Sequence, residues 1–230
     1  MTAPRPAARR KKLRYTVKKG GVTMELYYYT DFTCPFLLCG VSLGAAFAEK
    51  VSAAMTPVFI EIHPEVLPQG CDRRLLLSDE QNREMTEFLS RLGAPYGIRP
   101  SLGDRLVNSE KALILRAWIT LHRPDLTAAY DAILYDAPPV RHLDIGRDSI
   151  LQELLGTLEL TDPIQNMLRI ARPGASMSAT VFRLARSISG PFRPFRIGSQ
   201  LLPGLQPEEK LLAAYEAEKA ADETSGSPQI

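Results

Sequence analysis

Thr30-Asp31-Phe32-Thr33-Cys34-Pro35-Phe36-Leu37-Leu38-Cys39-Gly40 is the stretch from which the fold is read. A β-rich run, Leu26-Tyr27-Tyr28-Tyr29, leads into it, and an apolar helical run from Val41 to Met55 leads out. A cysteine at such a strand-to-helix junction meets unpaired backbone N–H groups and the positive end of a helix dipole, which favour a thiolate. Pro35 suits the first helical position, where a missing N–H costs nothing. Cys34 is therefore the candidate nucleophile, with Thr33, Pro35 and Phe36 as its immediate surroundings. Asp31, three residues earlier, carries a charge that would oppose the thiolate.

Working outward, Met24 to Tyr29 is expected to be a strand rich in aromatic residues. Alternation should send Tyr28 to one face and its neighbours to the other. The helix after Pro35 carries Gly44, Ala45, Ala46, Ala48, Ala53 and Ala54, small enough to lie close on a sheet. Pro57 to His63 is a second strand, ended by Pro64. Strand, helix and strand over about forty residues suggest a βαβ unit with a right-handed crossover.

From Ser78 the pattern turns helical. Ser78-Asp79-Glu80-Gln81 has capping-box spacing and Gly93 supplies the stop. Asn108-Ser109 caps a run from Glu110 to about His122, closed by Pro124. Segments Asp125 to Tyr135 and Asp148 to Leu158 follow, and Thr161-Asp162-Pro163 opens another. No strand pattern interrupts this block, and Ser176 to Ile188 is its last helix. Pro191 to Ile197 and Gln200 to Leu202 are extended runs around Gly198-Ser199, a hairpin near an edge. Pro207-Glu208-Glu209 opens a final helix to about Lys219. The order β-α-β, helical block, α-β-β-α is an α/β chain with the thioredoxin arrangement, its all-helical insertion lying between the βαβ and αββα halves. In residues, 24–77 and 175–221 form the thioredoxin-like domain, 78–174 the insertion, and 222–230 a polar disordered tail.

The chain has 230 residues and a formal net charge of +2. Eight basic residues lie before residue 20, and setting them aside turns +2 into −6 for the rest. Three readings fit that leader, residues 1–23. It is a plain disordered tail, a nucleic-acid or membrane-surface arm, or translated non-coding sequence. The third rests on Lys18-Lys19-Gly20-Gly21-Val22-Thr23-Met24, which looks like a purine-rich ribosome-binding site ahead of a bacterial start at Met24. The acidic remainder argues against nucleic acid as a partner of the folded part. No signal peptide or membrane span is expected. Three cysteines are an odd, sparse set rather than a disulfide framework. A cytoplasmic setting follows.

The chain resembles the DsbA-like thioredoxin superfamily, nearest to its FrnE-like branch and related to 2-hydroxychromene-2-carboxylate isomerases and kappa-class glutathione transferases. The likeness spans roughly Met24 to Lys210. Asp31-Phe32-Thr33-Cys34-Pro35-Phe36 resembles the family's Asp-Phe-x-Cys-Pro-Trp entry to the active site. Ile60-Glu61-Ile62-His63-Pro64-Glu65 with Pro68-Gln69-Gly70 resembles its second strand and loop, and Asn108-Ser109 with Ala112-Leu113 and Arg116-Ala117 a family helix start. Ile188-Ser189-Gly190-Pro191 and Gly204-Leu205-Gln206-Pro207-Glu208 match the segments around its cis-proline and last helix.

Two departures bear on function. The redox members carry Cys-Pro-x-Cys, whereas Leu37 stands three residues after Cys34, and Cys39 five. In a regular helix that is about 140° off the same face and about 7.5 Å along the axis. A disulfide needs Cα atoms within about 7 Å and converging Cβ vectors. Cys39 reads as a buried small residue, with a resolving thiol as its alternative role. At the cis-proline, ungapped alignment puts Phe192 where the family has proline and Pro191 one position early; Pro194 is a weaker candidate. Pro191, Phe192 and Arg193 are the expected substrate-binding residues. Arg183, Arg186, Arg193 and Arg196 form either a solvated basic face or a seat for an anionic substrate.

His63, His122 and His142 have no metal-ligand spacing, so no metal and no tightly bound cofactor are expected. What the resemblance implies is a thiol-dependent oxidoreductase acting through Cys34 alone. The alternatives are a thiol-dependent isomerase or transferase acting on a small molecule, and a non-catalytic binding protein. A thiol titrating at or above about 8.5 would favour the last. Glutathione or another small thiol would be the co-substrate, a small molecule or thiol the partner; the oligomeric state is open, with a homodimer among its forms.

Overall fold

The computed structural model describes residues 24–171 and 194–225. Strand β1 (Leu26–Thr30) runs through the middle of a four-stranded sheet of order β2-β1-β5-β6. It is followed by helix α1 (Pro35–Lys50) and by β2 (Met55–Phe59), which lies parallel to β1 in the register Leu26↔Met55 to Thr30↔Phe59. This is the expected βαβ unit. The second strand begins earlier than read from sequence and stops sooner. Pro57 is tolerated inside it because β2 is an edge strand. After Phe59 the ladder is left because the Ile62 N–H turns to the Asp31 carboxylate (2.9 Å).

β5 (Phe195–Ile197) and β6 (Gln200–Leu202) form the hairpin around Gly198-Ser199, with β5 antiparallel to β1. Gly198 takes φ +54, the left-handed conformation that the turn needs. Helix α7 (Glu208–Ser225) closes the chain. It runs well past Lys219, so the tail expected to be disordered from Asp222 is helical as far as Ser225; the alanines 217, 220 and 221 carry it on.

Between these halves lie α2 (Asp79–Gly93), α3 (Glu110–His122), α4 (Thr127–Asp136), α5 (Asp148–Gly156) and α6 (Ile164–Ala171). Ser78 and Gln81 make the reciprocal capping box on α2. The Asn108 side chain, rather than that of Ser109, accepts the first free amide of α3, from Glu110 (3.0 Å). One detail departs from an uninterrupted helical block: β4 (Arg105–Leu106) pairs antiparallel with β3 (Cys71–Asp72). Two residues per strand are too few to give an alternating pattern. The helix expected at Ser176 to Ile188 lies outside the described residues.

Two cores result. The sheet core holds Leu26, Tyr28, Leu37, Leu43, Phe47, Phe195, Ile197 and Leu211. The larger helical core is built from Ala112, Leu115, Ile119, Leu134, Leu151 and Leu155, and takes in Phe32, Leu38 and Cys39. Helix α1 serves both, and its first residue follows Cys34. The thiol therefore sits at the start of the helix that both cores share.

Candidate active site

Cys34 is the N-cap of α1, with extended backbone (φ −97, ψ 112), and Pro35 fills the first helical position. The junction is the one the sequence points to, but the chemistry of the sulfur is not. Its pKa is pushed up to about 11, in the direction opposite to the expected thiolate. Burial is the largest cause, the half-buried Cys34 packing against the sheet core. The amides of Leu37 and Phe36 favour the anion, as does the Arg73 charge, while the Asp31 carboxylate opposes it. The N–H groups of Leu37 and Leu38 are shared with the Cys34 carbonyl (3.0 and 3.3 Å), which weakens their hold on the sulfur. The dipole alone does not repay desolvation.

Asp31 is fully buried. Its Oδ1 accepts the Thr33 N–H (3.2 Å), and its Oδ2 accepts the Ile62 N–H and the Ser109 hydroxyl (both 2.9 Å). Burial raises its pKa against the pull of those three donors. A second carboxyl lies close by. Glu61 accepts from Asn108 Nδ2 (3.2 Å), which also donates to the Val66 carbonyl (2.7 Å). Burial, then the charges of Glu110 and Asp31, push Glu61 up to about 7. These bonds tie the loop after β2 to the start of α3, joining sheet half to insertion.

Beside the thiol a cavity of about 380 Å³ opens. Thr33 and Pro35 form one wall; Arg73, Gly103, Arg105 and His142 contribute to the others. His142 holds a left-handed conformation (φ 55), its Nε2 against the Ser101 hydroxyl (3.2 Å). Phe36 is half-buried and lies 6.1 Å from the exposed Phe88 ring of α2.

The other expected site residues divide. Cys39 is free and buried among the helical core residues, with its pKa pushed up to about 12 by burial and then by Cys34. Pro191, Phe192 and Arg193 lie outside the described residues, as do Arg183 and Arg186. The described residue directly before β5 is Pro194, which is buried and whose carbonyl accepts the Tyr29 N–H (2.7 Å). Arg196 belongs to the sheet rather than the site: it donates to the Gly198 carbonyl (2.9 Å) and lies 5.3 Å from the Tyr27 ring centroid. Among the described residues no group of three or more potential ligands could hold a metal, and no helix is long and apolar enough to cross a membrane.

Sequence reasoning missed Arg73, Glu61 and Ser109 as members of this site. Each stands in a segment remote from Cys34, and nothing local marks them. The available signal was Asn108-Ser109 as a family helix start and Glu61 in the second-strand pattern; Arg73 had none.

The chain has a thioredoxin fold, a four-stranded sheet carrying a helical insertion, of the shape seen in solved DsbA-like structures. A probable DsbA oxidoreductase from Streptomyces coelicolor superposes with a TM-score of 0.69 at 18% identity, over 90% of this chain and 92% of that one. The 2-hydroxychromene-2-carboxylate isomerase gives 0.59 at 15% identity, over 88% and 98%. The cytosolic disulfide reductase DsbM from Pseudomonas aeruginosa, in its structure with glutathione, gives 0.52 at 16%, over 87% and 98%. At such identities the likeness speaks for the fold. No protein-family model matches the chain, and no curated protein matches it.

Proposed function

We propose that the chain is a thiol-dependent oxidoreductase that works through Cys34 alone, by mixed-disulfide exchange with a small thiol or disulfide. The observation that carries this reading is the position of Cys34 at the start of α1, with its neighbours Thr33 and Pro35 walling an open cavity. In the reaction, the Cys34 proton passes to solvent and the sulfur attacks one sulfur of a substrate disulfide. A Cys34–substrate S–S bond forms, and the other half leaves as a thiolate. A small thiol such as glutathione then regenerates Cys34 by the same exchange. A reducing cytoplasm would supply that thiol.

A pKa near 11 shapes the chemistry rather than forbidding it. At pH 7 about one sulfur in ten thousand is ionised, but the rare thiolate is more nucleophilic. Weighing both, attack should be roughly twenty- to thirtyfold slower than by a thiol of pKa ~8.5. A high-pKa sulfur is also a poor leaving group, so the protein would make long-lived mixed disulfides and be a weak oxidant.

By the criterion drawn from the sequence, that raised pKa counts towards the non-catalytic binding role, and among enzymes it suits a second reading, the isomerase or transferase type. There Cys34 stays protonated, and its S–H hydrogen-bonds the sulfur of a bound thiol co-substrate. Cys34→Ser separates the two. In the first reading the variant forms no glutathione adduct by mass spectrometry after exposure to glutathione disulfide, whereas the unaltered protein does. In the second, neither forms an adduct at residue 34 and the variant keeps glutathione binding. If the protein neither exchanges at Cys34 nor binds glutathione, both enzymatic readings fall and a non-catalytic binding role is left.

A further inference from the structure

Arg73 stands out among the cations around the cavity because it has no carboxylate. Its Nε donates to the Gly103 carbonyl (2.9 Å) and an Nη to that of Arg105 (3.2 Å). Among the described residues no acid lies within ion-pair distance of it. Its neighbours differ. Arg74 forks onto both oxygens of Asp72 (2.6 to 3.2 Å), and Arg105 faces Asp144 (4.0 Å) while donating to the Gln69 carbonyl. Arg73 is moreover half-buried, and burial counts against its charge. A guanidinium taken out of water without a counter-ion is costly, and a ligand anion would repay that cost.

A second, independent observation concerns Thr33, which also lines the cavity. Thr33 is 6% exposed, and its hydroxyl is buried with no hydrogen-bond partner among the described residues. A buried hydroxyl normally has a partner. The two acids lining the cavity do not serve Arg73: Asp144 faces Arg105 and accepts the Gly146 N–H (3.1 Å), and Asp104 is exposed to solvent.

We propose that this cavity is a carboxylate subsite, in which the Arg73 guanidinium, joined by the Thr33 hydroxyl once that side chain turns towards the cavity, holds the acid group of the substrate that reacts at Cys34. The substrate class is a small thiol or disulfide bearing a carboxylate. A planar fork with one uncompensated charge suits a carboxylate, which it can grip with two parallel hydrogen bonds. The volume suits a small molecule. This inference rests on the reading that Cys34 exchanges with such molecules, and the test keeps the two apart.

Two disulfide probes are compared on the full chain carrying Cys71→Ser: the dianionic 5,5′-dithiobis(2-nitrobenzoate) and the neutral dithiodipyridine, each normalised to its rate with a free small thiol. The anionic probe should be favoured at Cys34 by roughly tenfold, as expected for one charge-assisted hydrogen-bonded contact, and less so at high salt. Arg73→Gln should abolish the preference, Arg73→Lys should keep part of it, and Thr33→Val should lower it by a smaller factor. Reaction at Cys34 with no charge preference, or a preference that survives Arg73→Gln, overturns the proposal. Should neither probe react at Cys34, the exchange chemistry falls, and the subsite is then read by itself. Titration with unreactive 4-nitrobenzoate must perturb the Arg73 Nε–H resonance and the backbone amide of Gly103 saturably, and the Gly103 shift must be lost in Arg73→Gln. A flat titration overturns the subsite as well.

Discussion

Around α1 the sheet half packs by leaving atoms out, and around Phe32 the helical half packs by adding them. A Cβ on Gly40 would stand 2.1 Å from the Tyr28 hydroxyl, and one on Gly44 2.7 Å from the Met55 sulfur. The helix is thereby drawn down until Tyr28 donates to the Leu37 carbonyl (2.7 Å). Across the seam, Phe32 meets the rings of Phe59, Tyr135 and Tyr130 at 4.9, 5.1 and 6.0 Å. Arg116 caps that cluster 3.7 Å above the Phe59 ring while its fork grips the buried Asp131 (2.7 and 2.9 Å). Both arrangements converge on residues 28–40. The same closeness that fixes the helix start also half-buries Cys34, and that burial pushes the thiol pKa up where the junction was expected to push it down.

The largest effect should come from emptying the seam. Phe32→Ala removes a fully buried ring shared by β2 and α4 and should cost about 3–5 kcal/mol in denaturant unfolding. Trp118, the single tryptophan, sits in α3 and reports the insertion by fluorescence, while far-UV circular dichroism reports the whole chain. If the two halves are one cooperative unit, both signals lose stability together. Separate midpoints in this variant would show that the ring was what coupled them.

Next comes the opposite kind of contact. Gly40→Ala drives a methyl into the Tyr28 hydroxyl and breaks its hydrogen bond, and should cost about 2–4 kcal/mol. Adding Tyr28→Phe removes the obstructing oxygen and should recover part of that loss. No recovery would place the obstruction at Leu205, the other neighbour of that position.

The polar seam should show itself through pH. Glu61 titrates near 7 in the folded chain, above its ordinary value, so folding favours its protonated form. Its contribution is present below about pH 4.5 and is lost as pH rises through 7. At pH 8 the buried carboxylate should cost about 2–3 kcal/mol relative to pH 5, if no other group compensates. Glu61→Gln keeps the acceptor for Asn108 and should be near neutral at pH 5 but stabilising at pH 8, by calorimetry at both values. Equal effects at the two pH values would mean that Glu61 titrates normally.

How much of this could be read in advance follows from how local each cause is. The Ser78–Gln81 box, the Asn108 cap and the Gly198-Ser199 turn are decided within four residues, and they stand where expected. The position of Cys34 at a helix start is equally local. Its protonation state is not, since the burial that sets it comes from β1, the β5–β6 hairpin and the last helix closing on the start of α1. Arg73 and Thr33 are forty residues apart yet line one cavity, and the β3–β4 ladder beside Arg73 is too short to leave a sequence pattern. The Ile62 bend, which ended β2 before His63, likewise depends on a carboxylate three decades of residues upstream.

The smallest expected effect concerns the sulfur itself. After burial, the charge of Asp31 is the main influence holding the Cys34 thiol up, so Asp31→Asn should lower its pKa from about 11, though not to the free-thiol value of ~8.5, because burial stays. The measurement is the pH profile of alkylation at residue 34 by mass spectrometry. The asparagine can keep its carbonyl towards Ile62 N–H and the Ser109 hydroxyl, but its amide would then face the Thr33 N–H, so a stability loss of about 1–3 kcal/mol is expected alongside. Arg73→Gln is the natural counterpart, since removing a cation must move the thiol upward. Opposite shifts in the two variants would show a sulfur poised between a buried acid and an unpaired base. An unmoved profile in Asp31→Asn alone would mean that Asp31 itself carries a proton when folded, in keeping with the upward push of its own burial, and that burial against the sheet core is what keeps Cys34 neutral.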